Sequence, residues 1–95
     1  MQNDRFAWDE HKNEINIAKH KVTFEEAATV FEDEFAVYID DEAHSNEYEE
    51  RFIVIGMSKE LKMLMVCHCY RNGDNYIRII SARKADKNDI KLYRR

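Results

Sequence analysis

Three apolar runs crowd the second half of the chain, and they constrain the fold more than any other feature. They are residues 51–57 (RFIVIGM), 61–70 (LKMLMVCHCY) and 76–82 (YIRIISA). The first two are apolar at both odd and even positions, as strands covered on both faces are, and the third reads as the final strand. The connections between them, Ser58-Lys59-Glu60 and residues 71–75, have hairpin length, and the second contains the turn signal Asn72-Gly73. Just upstream, Phe35, Val37 and Ile39 alternate with Ala36, Tyr38 and Asp40, which predicts a fourth strand. The sequence therefore predicts an antiparallel sheet of about four strands. The polar segment 41–50 reads as a loop.

The first third of the chain has helical spacing instead. Asp9 is placed to cap a helix over about residues 10–20, because its carboxylate can accept the orphan amides of the first turn. Lys12, Asn16 and Lys19 fall on one side of that helix with His20 beside them, and Ile15 and Ala18 form a separate, narrow apolar stripe. Thr23-x-x-Glu26 reads as a capping box with Val22 as its staple residue. Phe24, Ala27, Ala28 and Phe31 follow at the spacing of a core-facing helix. Residues 5–8 suit a short strand, and residues 86–94 a terminal helix with Ile90 and Tyr93 inward. The expected fold is α+β: two N-terminal helices on the sheet, plus a C-terminal helix. With 95 residues the chain is read as a single domain, 1–95.

Several functions lose support at once. No apolar run approaches the roughly 18 residues of a membrane span. The polar, acidic start MQNDRFAWDEHK is neither a signal nor a transit peptide. Cys67 and Cys69 are too few and too close for a disulfide framework, so the expected location is the cytoplasm, with reduced thiols. Cys67-x-Cys69 with His68 invites a metal reading, but no second ligand pair follows, and His11, His20 and His44 do not complete one. No metal and no cofactor are expected. A Gly-rich phosphate loop, HExxH and Gly-x-Ser-x-Gly are all missing.

Charge is unevenly spread. Residues 1–57 carry five basic and fifteen acidic side chains, whereas residues 78–95 carry seven basic and two acidic. The basic end suits a polyanion or an acidic partner. The acidic cluster of residues 32–50 reads as a solvated surface that repels RNA. Arg78 interrupts an otherwise apolar strand, so it meets an anion or faces solvent. Two registers are open for its neighbours. A two-residue turn at Gly73-Asp74 pairs Cys69 with Arg78 and Arg71 with Tyr76, leaving His68 on the other face with Ile79. A three-residue loop pairs His68 with Arg78 instead. A symmetric 58–60 hairpin pairs Arg51 with Cys67. Trp8, Tyr70 and Tyr76 are candidates for stacking on bases.

Taken together, several segments resemble the BrnT family of small bacterial ribonuclease toxins of type II toxin–antitoxin pairs. They are Phe6-x-Trp8-Asp9-x-x-Lys12-x-x-x-Asn16-x-x-Lys19-His20-x-Val22-x-Phe24-x-x-Ala27, Glu50-Arg51-Phe52, Gly56, His68-x-x-Arg71, and Arg78-Ile79-Ile80-Ser81-Ala82-Arg83-Lys84-Ala85. The sequence departs from the family pattern at Lys21 (usually Gly), Cys69 (usually Thr) and Asp89 (commonly Glu). The resemblance implies a RelE-like fold with RNA handled on the open side of the sheet, and metal-independent cleavage. It implies a cognate ribbon-helix-helix antitoxin, a possible 2:2 complex, and operator DNA bound only through that antitoxin.

The chemistry of such cleavage needs an aligned ribose 2′-OH, a proton taken and given, and a stabilised phosphorane. Guanidinium forks suit the last task. Arg71, Arg78 and Arg83 are therefore the candidates for phosphate and transition-state charge, with His68 for proton transfer. Lys12, Lys19, His20 and Arg51 would position RNA or contact the antitoxin. No carboxylate is clearly placed as a base. The competing reading is a non-catalytic module whose basic groove only binds a partner. A DNA-binding regulator is disfavoured by the acidic half and the missing helix-turn-helix.

Overall fold

The computed structural model describes residues 5–71, 73 and 75–94. Strand β1 (Phe6–Ala7) leads into α1 (Glu10–His20) and α2 (Phe24–Thr29). Strands β2 (Val37–Asp40), β3 (Phe52–Met57), β4 (Met63–Arg71) and β5 (Tyr76–Lys84) follow, and α3 (Lys87–Tyr93) ends the chain. The strands form one sheet in the order β1-β5-β4-β3-β2. The architecture is α+β, with one correction. The sheet has five strands and is mixed, because β1 runs parallel to β5, with Phe6 beside Ile77.

Both N-terminal helices start where the capping signals sit. The Asp9 carboxylate accepts the amides of His11 and Lys12, and the Thr23 hydroxyl accepts the amide of Glu26. Glu26 does not complete a capping box. Its carboxylate is buried and accepts the Ser58 hydroxyl at 2.8 Å, with Lys62 at 3.6 Å, so it anchors the β3–β4 connection. The end of α1 is reached by Lys21 at φ 61°, in the left-handed region where glycine is at ease.

Helix α1 does not dock through the expected apolar stripe. Ile15 is half exposed and Ala18 is exposed, whereas Asn13 and Asn16 are buried. Asn16 donates to the carbonyls of Val22 and Ala82 and accepts the Ala82 amide, which ties α1 to β5 at 2.9–3.1 Å. Asn13 accepts the Phe24 amide. Polar residues are tolerated at this contact because each buried group has a partner. The apolar core between helices and sheet comprises Phe6, Trp8, Val22, Phe24, Val30, Val54, Leu64, Val66, Ile77 and Ile79 among others. Trp8 meets Phe24 edge-on inside it, so Trp8 is a core residue rather than an exposed stacking platform.

The registers settle which side chains share a face. In the β4–β5 hairpin Cys69 faces Arg78, Arg71 faces Tyr76 and His68 faces Ile79, the outcome expected of the two-residue turn. Of that turn, Asn72 and Asp74 lie outside the described residues, and Gly73 has φ 63°. The β3–β4 pairing differs by two residues from the symmetric expectation, since Ile53 rather than Arg51 faces Cys67. A shift of two leaves every side chain on its face.

One irregularity shapes the second face of the sheet. Between Cys67 and His68 the β4–β5 register slips, with His68 opposite Ile79 but Cys67 opposite Ser81. Ile80 is the extra residue of a β-bulge. In a regular strand Arg78 and Arg83, five apart, point to opposite faces. The bulge restores them to the same one. Among the described residues, no helix is long and apolar enough to cross a membrane.

Candidate functional site

The sheet face turned away from α1 and α2 gathers the arginines. By register it carries Arg71 and Tyr76, Arg78 opposite Cys69, and Arg83 opposite Met65. Arg51 joins them from the residue before β3. Both thiols lie between the arginines, buried and free. Burial and the nearby Asp41 carboxylate push the Cys67 thiol up to about 12, so it stays protonated.

The arginines differ in what holds them. Arg51 Nε and Arg71 NH2 each lie 2.9 Å from the Glu49 carboxylate, on separate oxygens. The hydrogen bond from Arg51, with the charges of Arg51, Arg71 and Arg78, holds Glu49 below the usual carboxylate range. Arg83 is fixed by Asp89 at 2.8 Å, and Asp89 itself completes a capping box with Asp86 at the start of α3. Around Arg78, no carboxylate of the described residues lies within 4.0 Å of the guanidinium. It is half-buried on the sheet, without an ion-pair partner among the described residues, and its charge is felt at Glu49. Such a group is electrostatically ready for an anion.

A cleft of about 320 Å³ opens on this face. Ile53, Met65, Cys67 and Ser81 form its floor, and Asp41, His44, Arg51 and Arg83 stand around it. The acidic segment is therefore not uniformly a solvated surface. The Asp41 amide donates to the Arg51 carbonyl, the Ser45 hydroxyl donates to the Asp41 carbonyl, and the Arg51 amide donates to Ser45 Oγ. Asp41 is buried by these contacts, and both its carboxylate oxygens lie 3.0 Å from His44 Nδ1. The Cys67 thiol donates to the same carboxylate at 3.5 Å. Neither Asp41, His44 nor Glu49 was singled out from the sequence. Only the Glu50-Arg51-Phe52 segment beside them carried a signal.

The remaining expected residues lie elsewhere. His68 is fully buried on the helix side, in a cage of Phe31, Tyr38, Phe52 and Tyr70. Its Nδ1 sits 3.3 Å from the Val66 carbonyl, and burial pulls its pKa down to about 4. The sheet separates it from every arginine of the open face. Lys12, Lys19 and His20 line a shallow hollow of about 160 Å³ with Ile15 and Ile80, where α1 meets β5.

Residues 8–89 match the model of a family described as the ribonuclease toxin BrnT of type II toxin–antitoxin systems. The chain belongs to the BrnT family. The fold is similar to that of the Brucella abortus ribonuclease toxin BrnT, known from a crystal structure at 1.1 Å resolution. The TM-score is 0.64 at 24% identity, over 90% of this chain and 100% of that one. No curated protein matches the chain. The matched range spans Arg51, Arg71, Arg78 and Arg83, the four arginines of the open face.

Proposed function

We propose that the chain is a metal-independent endoribonuclease toxin, with the arginine-bearing face as its RNA site. The observation that carries this reading is the guanidinium of Arg78, half-buried on the sheet face that bears three further arginines and without an ion-pair partner among the described residues. In the proposed reaction the ribose 2′-oxygen attacks the adjacent phosphorus and the 5′-oxygen leaves. Negative charge accumulates on the non-bridging oxygens at the moment of attack. Arg78 and Arg83 contact those oxygens, and a guanidinium can offer two N–H groups at once. Arg71, shared with Glu49, holds the neighbouring phosphate. Tyr76, which faces Arg71 across the hairpin, is available to stack on a base. The burial of His68 on the far side of the sheet removes it from proton transfer in this reading. The RelE-like comparison then applies to the division of labour, with helices on one side of the sheet and RNA on the other.

The toxin would be held inactive in the cytoplasm by a cognate ribbon-helix-helix antitoxin in a 2:2 complex, which alone would bind operator DNA. The hollow lined by Lys12, Lys19 and His20 suits an acidic segment of that antitoxin, because it combines two lysines with the exposed Ile15. The test is inducible expression in a bacterium of the wild type and Arg78→Ala, with total RNA followed over time. Growth arrest and RNA decay in the wild type alone support the reading. Normal growth and intact RNA with folded wild-type protein favour a partner-binding module.

A further inference from the structure

The arginine face supplies charge but leaves the attacking hydroxyl without a base. Glu49 is unsuited, because its two oxygens are engaged by Arg51 and Arg71, which hold it ionised. His68 is sealed behind the sheet. The cleft beside Arg83 nevertheless contains His44, weighed from the sequence only as a metal ligand. We propose that His44 takes the proton of the ribose 2′-OH, oriented for it by Asp41. This rests on the ribonuclease reading and completes it.

The geometry is that of a carboxylate-held imidazole. Nδ1 of His44 lies 3.0 Å from both oxygens of Asp41, so that nitrogen donates and Nε2 is left as the acceptor. Asp41 is a dependable orienter because it is fixed from three further directions: its amide to Arg51, its carbonyl from Ser45, and its carboxylate from Cys67. Asp41 is buried, while the His44 side chain is 68% exposed and open to substrate. The charged groups around the cleft are Asp41, Arg51 and Arg83, with the Cys67 thiol neutral. Histidine is the side chain that exchanges a proton near neutral pH. In the step, the 2′-OH proton passes to Nε2 and the O2′–P bond forms. The P–O5′ bond then breaks, and the departing oxygen takes a proton from water. The products are a 2′,3′-cyclic phosphate and a 5′-hydroxyl, and the imidazolium returns its proton to solvent.

The test uses the purified full-length chain, a short synthetic RNA, and the variants His44→Ala and Asp41→Asn. The proposal expects His44→Ala to lose about 100-fold or more in kcat/KM with unchanged melting. The wild-type rate should rise with pH as imidazole deprotonates, and that limb should vanish in His44→Ala. Free imidazole should restore part of the lost rate. Asp41→Asn should fall between wild type and His44→Ala. Cleavage by His44→Ala within about threefold of wild type overturns the proposal and leaves the ribonuclease reading standing. Lost activity with the pH limb retained and no imidazole rescue also overturns it, since His44 would then only shape the loop. A wild type that cleaves no RNA at any pH removes the ribonuclease reading itself, and this proposal with it.

Discussion

Replacing His68 with leucine separates a packing role from a catalytic one, and the structure sets the size of the effect. The ring is fully buried, with aromatic centroids at 4.8–6.2 Å, and Nε2 has no partner among the described residues. Burial lowers its pKa from the ordinary 6.5 to about 4. Between those values the unfolded chain binds a proton that the native state refuses. Stability therefore falls as pH drops from 6.5 toward 4, and this contribution levels off below. Between pH 7 and pH 5 the loss amounts to about 2 kcal/mol, or on the order of 10 °C in Tm for a domain of this size. His68→Leu keeps the side chain near its volume and removes both the titration and the unpartnered nitrogen. Equilibrium urea unfolding of both proteins at pH 7 and pH 5 gives the difference directly. Any contribution common to both proteins cancels in the difference. The wild type should lose about 2 kcal/mol more than the variant on acidification. Equal losses would refute the reasoning, as would a folded His68→Leu protein without RNA cleavage at pH 7.

Two further changes test how the sequence holds α1 in place. Asn16→Ala removes three buried hydrogen bonds between α1, the following turn and β5. It should cost about 3 kcal/mol, with the stranded Val22 and Ala82 carbonyls as the cause. Urea unfolding at pH 7 measures it. Lys21→Gly relieves a left-handed backbone at φ 61°. The relief outweighs the added freedom of the unfolded chain, so Tm should rise, by about 0.5–1 kcal/mol of stability.

Much of this architecture is legible in the sequence because local rules dominate it. Asp9 and Thr23 begin helices because short acceptor side chains satisfy orphan amides wherever they stand. The pairing of Cys69 with Arg78 and of Arg71 with Tyr76 is one of the two registers the 71–75 connection allows. What the sequence conceals depends on distant partners. Residues 5–8 read as a short strand, but the free edge of β5 that makes Phe6 and Ala7 a parallel one lies far along the chain, at Ile77 and Arg78. Asn13 and Asn16 read as polar surface until the Phe24 amide reaches Asn13 and Ala82, 66 residues beyond Asn16, supplies its carbonyl and amide to Asn16. The bulge at Ile80 has no glycine to mark it, yet it decides that Arg78 and Arg83 share a face. Of the candidate site, Arg51, Arg71, Arg78 and Arg83 are legible as arginines in or beside strands, a costly place for charge. His68 stands among apolar residues in the sequence and is fully buried in the fold. Asp41, His44 and Glu49 are hidden in an acidic segment whose hydrogen bonds to Ser45 and Arg51 are not encoded in any spacing.

The measurement that tests the central claim most directly is cleavage of a defined RNA by purified wild type and Arg78→Ala, in EDTA, with the product ends identified. The account predicts 2′,3′-cyclic phosphate ends from the wild type. It predicts a loss of about 100-fold or more in Arg78→Ala, with melting unchanged. Full activity in Arg78→Ala, or cleavage by the wild type that stops when EDTA is added, would contradict it.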